Sequence, residues 1–358
     1  MINNIIINHI DFDNYRNHIM ISTNKGFIIY SILPFNQKYF MEIKGGIKFG
    51  YIHSFEKKIF ILNKINPIAI DNVTFSNDKI ILWNQSIDKE FTNINIKKPI
   101  IQMNISKMRN NLLFATNNNI YQYHINNNLQ FVLIQTINTY INILSSYIFN
   151  DNYIMFTTNS NEKGHITIKS NTKFYKIKAV NSDINNIAVN SQGTLLATTS
   201  INGYSIKVFD TINGTFLKEF KRGNFRRNIT ALNFSDNSNF LLCGTINGTL
   251  HMFLLGNENF LDYRTFWGIY ERGKYIYSFK DLIIAIYYIE NRNIIYVLTS
   301  KKIYLCRIID NKIEIFFSSL ILYCKDPFIK SPDIRKNTKT IPINKNKTEL
   351  LMNIANSI

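Results

Sequence analysis

Cysteine is scarce here: Cys243, Cys306 and Cys324 are the three in 358 residues, far apart and odd in number. That count argues against a disulfide framework, offers no zinc-ligand spacing and suits a reducing compartment. Six prolines are too few for long ordered linkers. Nowhere do about eighteen apolar residues run together, so no segment reads as a bilayer span. The N-terminal stretch MINNIIINHIDF has only the short island Ile5–Ile7 and no basic flank, unlike a signal peptide. The G-x-S-x-G, H-E-x-x-H, Walker and dinucleotide glycine motifs are all missing, and no two carboxylates gather for acid–base work. DFDNYRN at 11–17 lacks the glycine and closing glutamate of a calcium loop. These absences predict a protein without catalytic residues, metal or cofactor.

Acidic residues are also few, 24 against 41 lysines and arginines, which leaves a net charge of +17 and a pI near 9.6. Such a surface attracts phosphate-rich partners, whether nucleic acid, anionic lipid or acidic protein, and charge alone does not choose among them. The abundance of Asn, Ile, Lys and Tyr is the bias of AT-rich codons. Part of the lysine excess is therefore also read as drift on solvated faces, and N-x-S/T matches such as Asn247–Thr249 as chance.

With 46% hydrophobic and 14% aromatic residues the chain has ample material for a core. Its apolar runs are four to eight residues long and rich in β-branched and aromatic types: GFIIYSI, KIFILN, NIYQYHI, SIKVFDT, FLLCGT, IIYVLTS. Asn, Gly, Asp and Ser separate them, as turns separate strands. The expected class is all-β. The runs recur at about forty residues, the period of a four-stranded propeller blade. Residues 187–210, IAVNSQGTLLATTSINGYSIKVFD, and 232–255, LNFSDNSNFLLCGTINGTLHMFLL, are two clear copies. Weaker copies at 10–32, 51–84, 103–125, 143–168 and 284–308 bring the expectation to a seven-bladed β-propeller over residues 1–322. From 323 to 358 the sequence is polar and basic and lacks strand alternation. It is expected to be disordered, with at most a short helix near 349–354.

Between the two clear copies lies FKRGNFRRNIT, residues 220–230, with Lys221, Arg222, Arg226 and Arg227 in one short span. Adjacent side chains of a strand point to opposite sides, so Lys221 and Arg222 can serve separate anions, one against each neighbouring blade. Phe220-Lys221-Arg222-Gly223 in this position resembles the signature of the PROPPIN family, the WIPI-type phosphoinositide-binding seven-bladed propellers of autophagy. LLATTSINGYSIKVFDTINGTFLKEFKRG and ITALNFSDNSNFLLCGTINGTLHMF are similar to the family's blades five and six. TNKGFIIY with EIKGG, the Trp83 strand and YSFKDLI extend the likeness over residues 6–320.

The resemblance implies two headgroup sites. For the second, Arg222 offers a planar fork, His251 stands where the family has a phosphate-contacting histidine, Thr245 and Thr249 take hydroxyl positions, and Gly248 lets amides approach an anion. A lone strand histidine ordinarily packs; here the motif around it implies a ligand. For the first site, Lys221 and Lys207 replace arginines, Ser200 and Ser205 are candidate hydroxyl donors, and Val180 stands where the family has histidine. The first site is therefore expected to bind more weakly. The connection 255–279 is far longer than a hairpin. It clusters Phe260, Leu261, Tyr263, Phe266, Trp267, Ile269 and Tyr270 with Arg264, Arg272 and Lys274, a composition suited to the bilayer interface. In the family this loop inserts into membrane.

The partners implied are phosphatidylinositol 3-phosphate and/or 3,5-bisphosphate in membranes, together with autophagy-machinery proteins. No specific nucleic acid is expected, and the chain should be a monomer in solution. The implied place is the cytoplasm, peripherally on autophagosomal, endosomal, vacuolar or other organelle membranes. The alternative is a propeller scaffold for protein or RNA without specific lipid recognition.

Overall fold

The structure is a computed structural model that describes residues 5–320 apart from 14, 33, 56, 65–66, 71–72, 77, 88, 97, 107–109, 139–143, 150–151, 159–162, 170–173, 256–270, 273–274 and 311. The tail expected from residue 323 lies outside the described residues.

Strand after strand is built from β-branched and aromatic residues, and almost every strand pairs with its predecessor in the chain. Among the described residues this yields six four-stranded sheets, one five-stranded sheet and a two-stranded hairpin, Pro67–Ile70 with Val73–Ser76. The first sheet runs from Ile7–Phe12 to Asn36–Glu42 and the second from Ile47–Ser54 to Lys89–Ile96. The third runs from Gln102–Ser106 to Phe131–Asn138 and the fourth from Leu144–Phe149 to Phe174–Lys178. The seventh runs from Ile283–Ile289 to Lys312–Leu320. The fifth comprises Ile184–Val189, Leu195–Ser200, Ser205–Asp210 and Phe216–Lys221, with Glu271–Arg272 as an added outer strand. The sixth comprises Ile229–Phe234, Phe240–Thr245, Thr249–Leu254 and Tyr275–Ser278. The expected all-β class and four-stranded unit are both found.

The chain divides into two compact units, residues 1–65, 82–89 and 322–358 in one, 66–81 and 90–321 in the other. In the first unit the inner strand Ile7–Phe12 packs on Ile47–Ser54, and the Asp11 carboxylate accepts the Ile52 amide at 2.8 Å. In the second unit the inner strands of the third to seventh sheets touch in sequence order, which is the stacking of propeller blades. The fifth blade buries apolar side chains on both faces, against the sixth and the fourth. Ile206, Val208 and Phe220 of the fifth blade pack with Leu241, Cys243 and Phe253 of the sixth, the Phe220 and Phe253 ring centroids 4.9 Å apart. The other face of the fifth, Leu196 and Phe209, meets Ile166 and Ile168 of the fourth.

The fourth blade's outer strand is fixed to the fifth by Tyr175, whose hydroxyl donates to the Thr211 carbonyl. Burial pushes that phenol up to about 12, and Asp210 adds to the effect. Tyr175→Phe is expected to destabilise the fold by about 1 kcal/mol, the net value of one such bond, as read by chemical denaturation.

Candidate functional site

Two I-N-G turns frame the motif. Gly203 and Gly248 sit at φ +62° and +80°, a region other residues rarely adopt, and their amides donate to Ser200 and Thr245 carbonyls at 3.0 Å. A Cβ on Gly203 would lie 2.0 Å from the Arg227 carbonyl oxygen, and one on Gly248 would lie 2.5 Å from that of Phe279. Gly248 thus serves close packing of the turn against the chain at Phe279. Its own amide is committed within the turn, to the Thr245 carbonyl.

Lys221 ends the fifth blade's fourth strand opposite Ser205, and Glu219 stands opposite Lys207. Since alternate residues share a face, Lys221, Glu219, Lys207 and Ser205 lie on the face that carries Phe209 towards the fourth blade. The Lys207 ammonium sits 6.0 Å from the Phe216 ring centre, and the Ser205 hydroxyl donates to the Glu219 carboxylate. A carboxylate therefore already sits in the first candidate site, and Val180 is packed into the apolar cluster beside it. Ser200 closes the neighbouring strand, its carbonyl engaged by Gly203.

Arg222 follows Phe220 on the opposite side. It is only 8% exposed, and its Nε donates to the Gly203 carbonyl at 2.7 Å while an Nη donates to that of Phe225. The structure buries this cation and braces it by two backbone carbonyls that no side-chain pattern announces. Among the described residues no carboxylate pairs with it. Burial lowers its pKa from the usual arginine value, and Arg227 adds to this while Cys243 and Tyr204 oppose it. Guanidinium nevertheless keeps its proton, so the site is a desolvated positive charge.

His251 lies across from Cys243 on the sixth blade's third strand, on the side that meets the fifth blade. It is 6% exposed, stacks at 6.2 Å over Phe253, and its Nδ1 is buried without a hydrogen-bond partner among the described residues. Burial, then Arg222, then Arg227 push its pKa down to about 4. Thr245 is fully buried and its hydroxyl oxygen accepts the Thr249 amide at 3.1 Å, while the Thr249 hydroxyl has no such partner among the described residues. Arg222, His251, Thr245 and Thr249 are thus gathered on the fifth–sixth side, and Lys221, Lys207 and Ser205 on the fourth–fifth side.

Arg227 is the participant that the sequence left out of the site. Its amide donates to Asn202, and its charge is felt at both Arg222 and His251. Only its presence in FRRN pointed to it. Phe260, Leu261, Tyr263, Arg264, Phe266, Trp267, Ile269, Tyr270 and Lys274 lie outside the described residues, but the backbone that follows them is informative. Glu271 and Arg272 pair in parallel with Phe220 and Lys221, so the long connection returns onto the motif's own strand. The described residues contain no group of three His, Cys, Asp or Glu able to hold a metal, and no helix long and apolar enough to cross a membrane.

A family model described as PROPPIN matches residues 73–270, more than half the chain. Autophagy-related protein 18 of Yarrowia lipolytica is 25% identical over 277 residues, 70% of this chain and 66% of that protein. Its Eremothecium gossypii counterpart is 41% identical over 83 residues, 23% of this chain and 16% of its own length. The chain therefore spans less than two thirds of both relatives. Hsv2 of Kluyveromyces lactis superimposes with a TM-score of 0.69 at 16% identity, over 88% of this chain and 99% of that one, a likeness of fold.

Proposed function

Because the chain belongs to the PROPPIN family, we propose that it is a peripheral membrane protein that reads phosphatidylinositol 3-phosphate and/or 3,5-bisphosphate. In this reading it acts as an effector and scaffold on autophagic or endolysosomal membranes. The supporting observation is the fifth–sixth junction, where buried Arg222 faces no carboxylate among the described residues and His251 Nδ1 is buried without a partner. A desolvated cation beside an unsatisfied polar atom is costly until an anion arrives with oxygens for both. A phosphate monoester has that charge and those acceptors. We assign this pocket to Arg222, His251, Thr245 and Thr249, with Arg227 adding charge.

The fourth–fifth pocket of Lys221, Lys207, Ser205 and Ser200 is the weaker one, since Glu219 already takes the Ser205 hydroxyl and Val180 offers no ligand. The seven sheets are read as the blades of a seven-bladed propeller over residues 1–322, with a basic tail over 323–358. Phe260, Leu261, Tyr263, Phe266, Trp267, Ile269 and Tyr270 are proposed to enter the bilayer interface, held beside the pockets by the pairing of Glu271–Arg272 with Phe220–Lys221. Autophagy proteins are the proposed partners because the curated relatives are autophagy-related proteins.

Vesicle flotation against a phosphoinositide panel tests the proposal. Vesicles carrying either 3-phosphorylated lipid should recruit the protein far better than phosphatidylserine vesicles of matched charge. Equal recruitment by every anionic vesicle would favour the diffuse electrostatic alternative, an RNA or protein scaffold, for which the +17 charge is the argument.

A further inference from the structure

We propose that the outer strand of the fourth blade, Phe174–Lys178, is a further contact for anionic lipid, distinct from both headgroup pockets. The inference rests on the membrane reading above and extends its footprint by one blade. Phe174, Lys176 and Lys178 alternate with Tyr175 and Ile177 along FYKIK. Tyr175 and Ile177 turn to the fifth blade, where they pack at Gly214 and with Ile166, Ile168 and Phe209. The other three are exposed, Phe174 to 67%. Across the ladder the same face carries His165, Thr167 and Lys169, opposite Lys178, Lys176 and Phe174 respectively. One rigid face thus offers a phenyl ring, three lysines and a histidine.

Charge patterning sets this strand apart from the other outer strands. Those of the first, second and seventh blades, Asn36–Glu42, Lys89–Ile96 and Lys312–Leu320, and the fourth strand of the fifth, Phe216–Lys221, each mix lysine with glutamate. Those of the third and sixth, Phe131–Asn138 and Tyr275–Ser278, have no charge at all. Only Phe174–Lys178 has lysines without a carboxylate on it or on the adjoining His165–Lys169. Among the described residues neither Lys169 nor Lys178 has an ion-pair partner.

Sheet edges are commonly protected by lysine, so the charges alone would be unremarkable. The exposed ring between them is what suits a bilayer, where an aromatic sits at headgroup depth and ammonium groups meet lipid phosphates and carboxylates. The strand is also tied at Tyr175 to the blade that bears Lys221 and Arg222. The face therefore belongs to the blade next to the one that carries the motif.

The test compares the full chain with a Lys169→Gln/Lys178→Gln variant and with Phe174→Ser, all at exposed or half-exposed positions. On vesicles holding both phosphatidylinositol 3-phosphate and phosphatidylserine, the double variant should bind roughly tenfold more weakly or worse, since each cation near an anionic surface contributes several-fold. Without phosphatidylserine the loss should shrink, and affinity for soluble inositol 1,3-bisphosphate should match wild type. Phe174→Ser should weaken both vesicle types. Unchanged binding of the double variant to phosphatidylserine-containing vesicles overturns the proposal. So does selective loss of an acidic peptide such as polyglutamate, which would make the strand a protein contact. Failure of the wild type to bind the soluble headgroup is a different result: it sinks the pocket assignment, and the vesicle comparison still decides the strip.

Discussion

Replacing Arg222 with alanine is expected to weaken binding of soluble inositol 1,3-bisphosphate by roughly ten- to a hundredfold, the range of one or two charge-assisted hydrogen bonds, while Lys221→Ala costs only a few-fold. The asymmetry follows from where the two cations stand. Arg222 is buried and meets no carboxylate among the described residues, so an arriving phosphate finds a charge already stripped of water. Lys221 shares its face with Glu219 and is half-exposed, so part of its charge is neutralised locally and the rest is screened. Arg222 also braces the Gly203 and Phe225 carbonyls, and its removal loosens the turn as well. Arg222→Lys separates the two roles: it keeps the charge and loses the fork, and should fall between wild type and alanine in affinity. Calorimetry with the soluble headgroup reads binding, and a thermal scan of each variant reads the brace. Retained affinity in a folded Arg222→Ala protein would remove the pocket from consideration.

The repeat was plain in the sequence because its physics is local. LLATTSINGYSIKVF and FLLCGTINGTLHMF carry strand alternation and a glycine with positive φ at matching offsets, and both became second and third strands joined by a tight turn. Strand alternation likewise put Lys221 and Arg222 on opposite sides, whereas the grouping of the other candidate residues about each of them came from the family resemblance. What stayed hidden was supplied by backbone or by distant chain. The Gly203 and Phe225 carbonyls that hold Arg222 have no side-chain code. Nothing in the sequence singles out Glu219, which its register sets opposite Lys207 and which accepts the Ser205 hydroxyl. Glu271–Arg272 is too short to read as a strand, and its partner lies some fifty residues earlier at Phe220–Lys221. Such a pairing is visible only in three dimensions. Gly248 likewise needs its missing side chain for a reason the sequence does not show, the close approach of the chain at Phe279.

His251 supplies the second large effect, and its sign can be worked out. In the empty pocket burial, Arg222 and Arg227 hold the imidazole neutral down to about pH 4, against an ordinary 6.5 when the chain is unfolded. Between those values the unfolded chain binds the proton and the folded chain does not, so lowering the pH through that window favours unfolding. Integrated over the window, the loss is about 3 kcal/mol for this one group. His251→Gln removes the titration, so its thermal midpoint should fall less steeply than wild type from pH 7 to pH 4.5. The bound headgroup should reverse the penalty. A phosphate set between Arg222 and Nδ1 favours the imidazolium, so binding takes up a proton wherever the bound pKa exceeds the pH. Saturating inositol 1,3-bisphosphate should then flatten the wild-type slope and leave that of His251→Gln unchanged. A wild-type slope that stays as steep with the ligand as without it would mean that His251 packs against Phe253 and touches no anion.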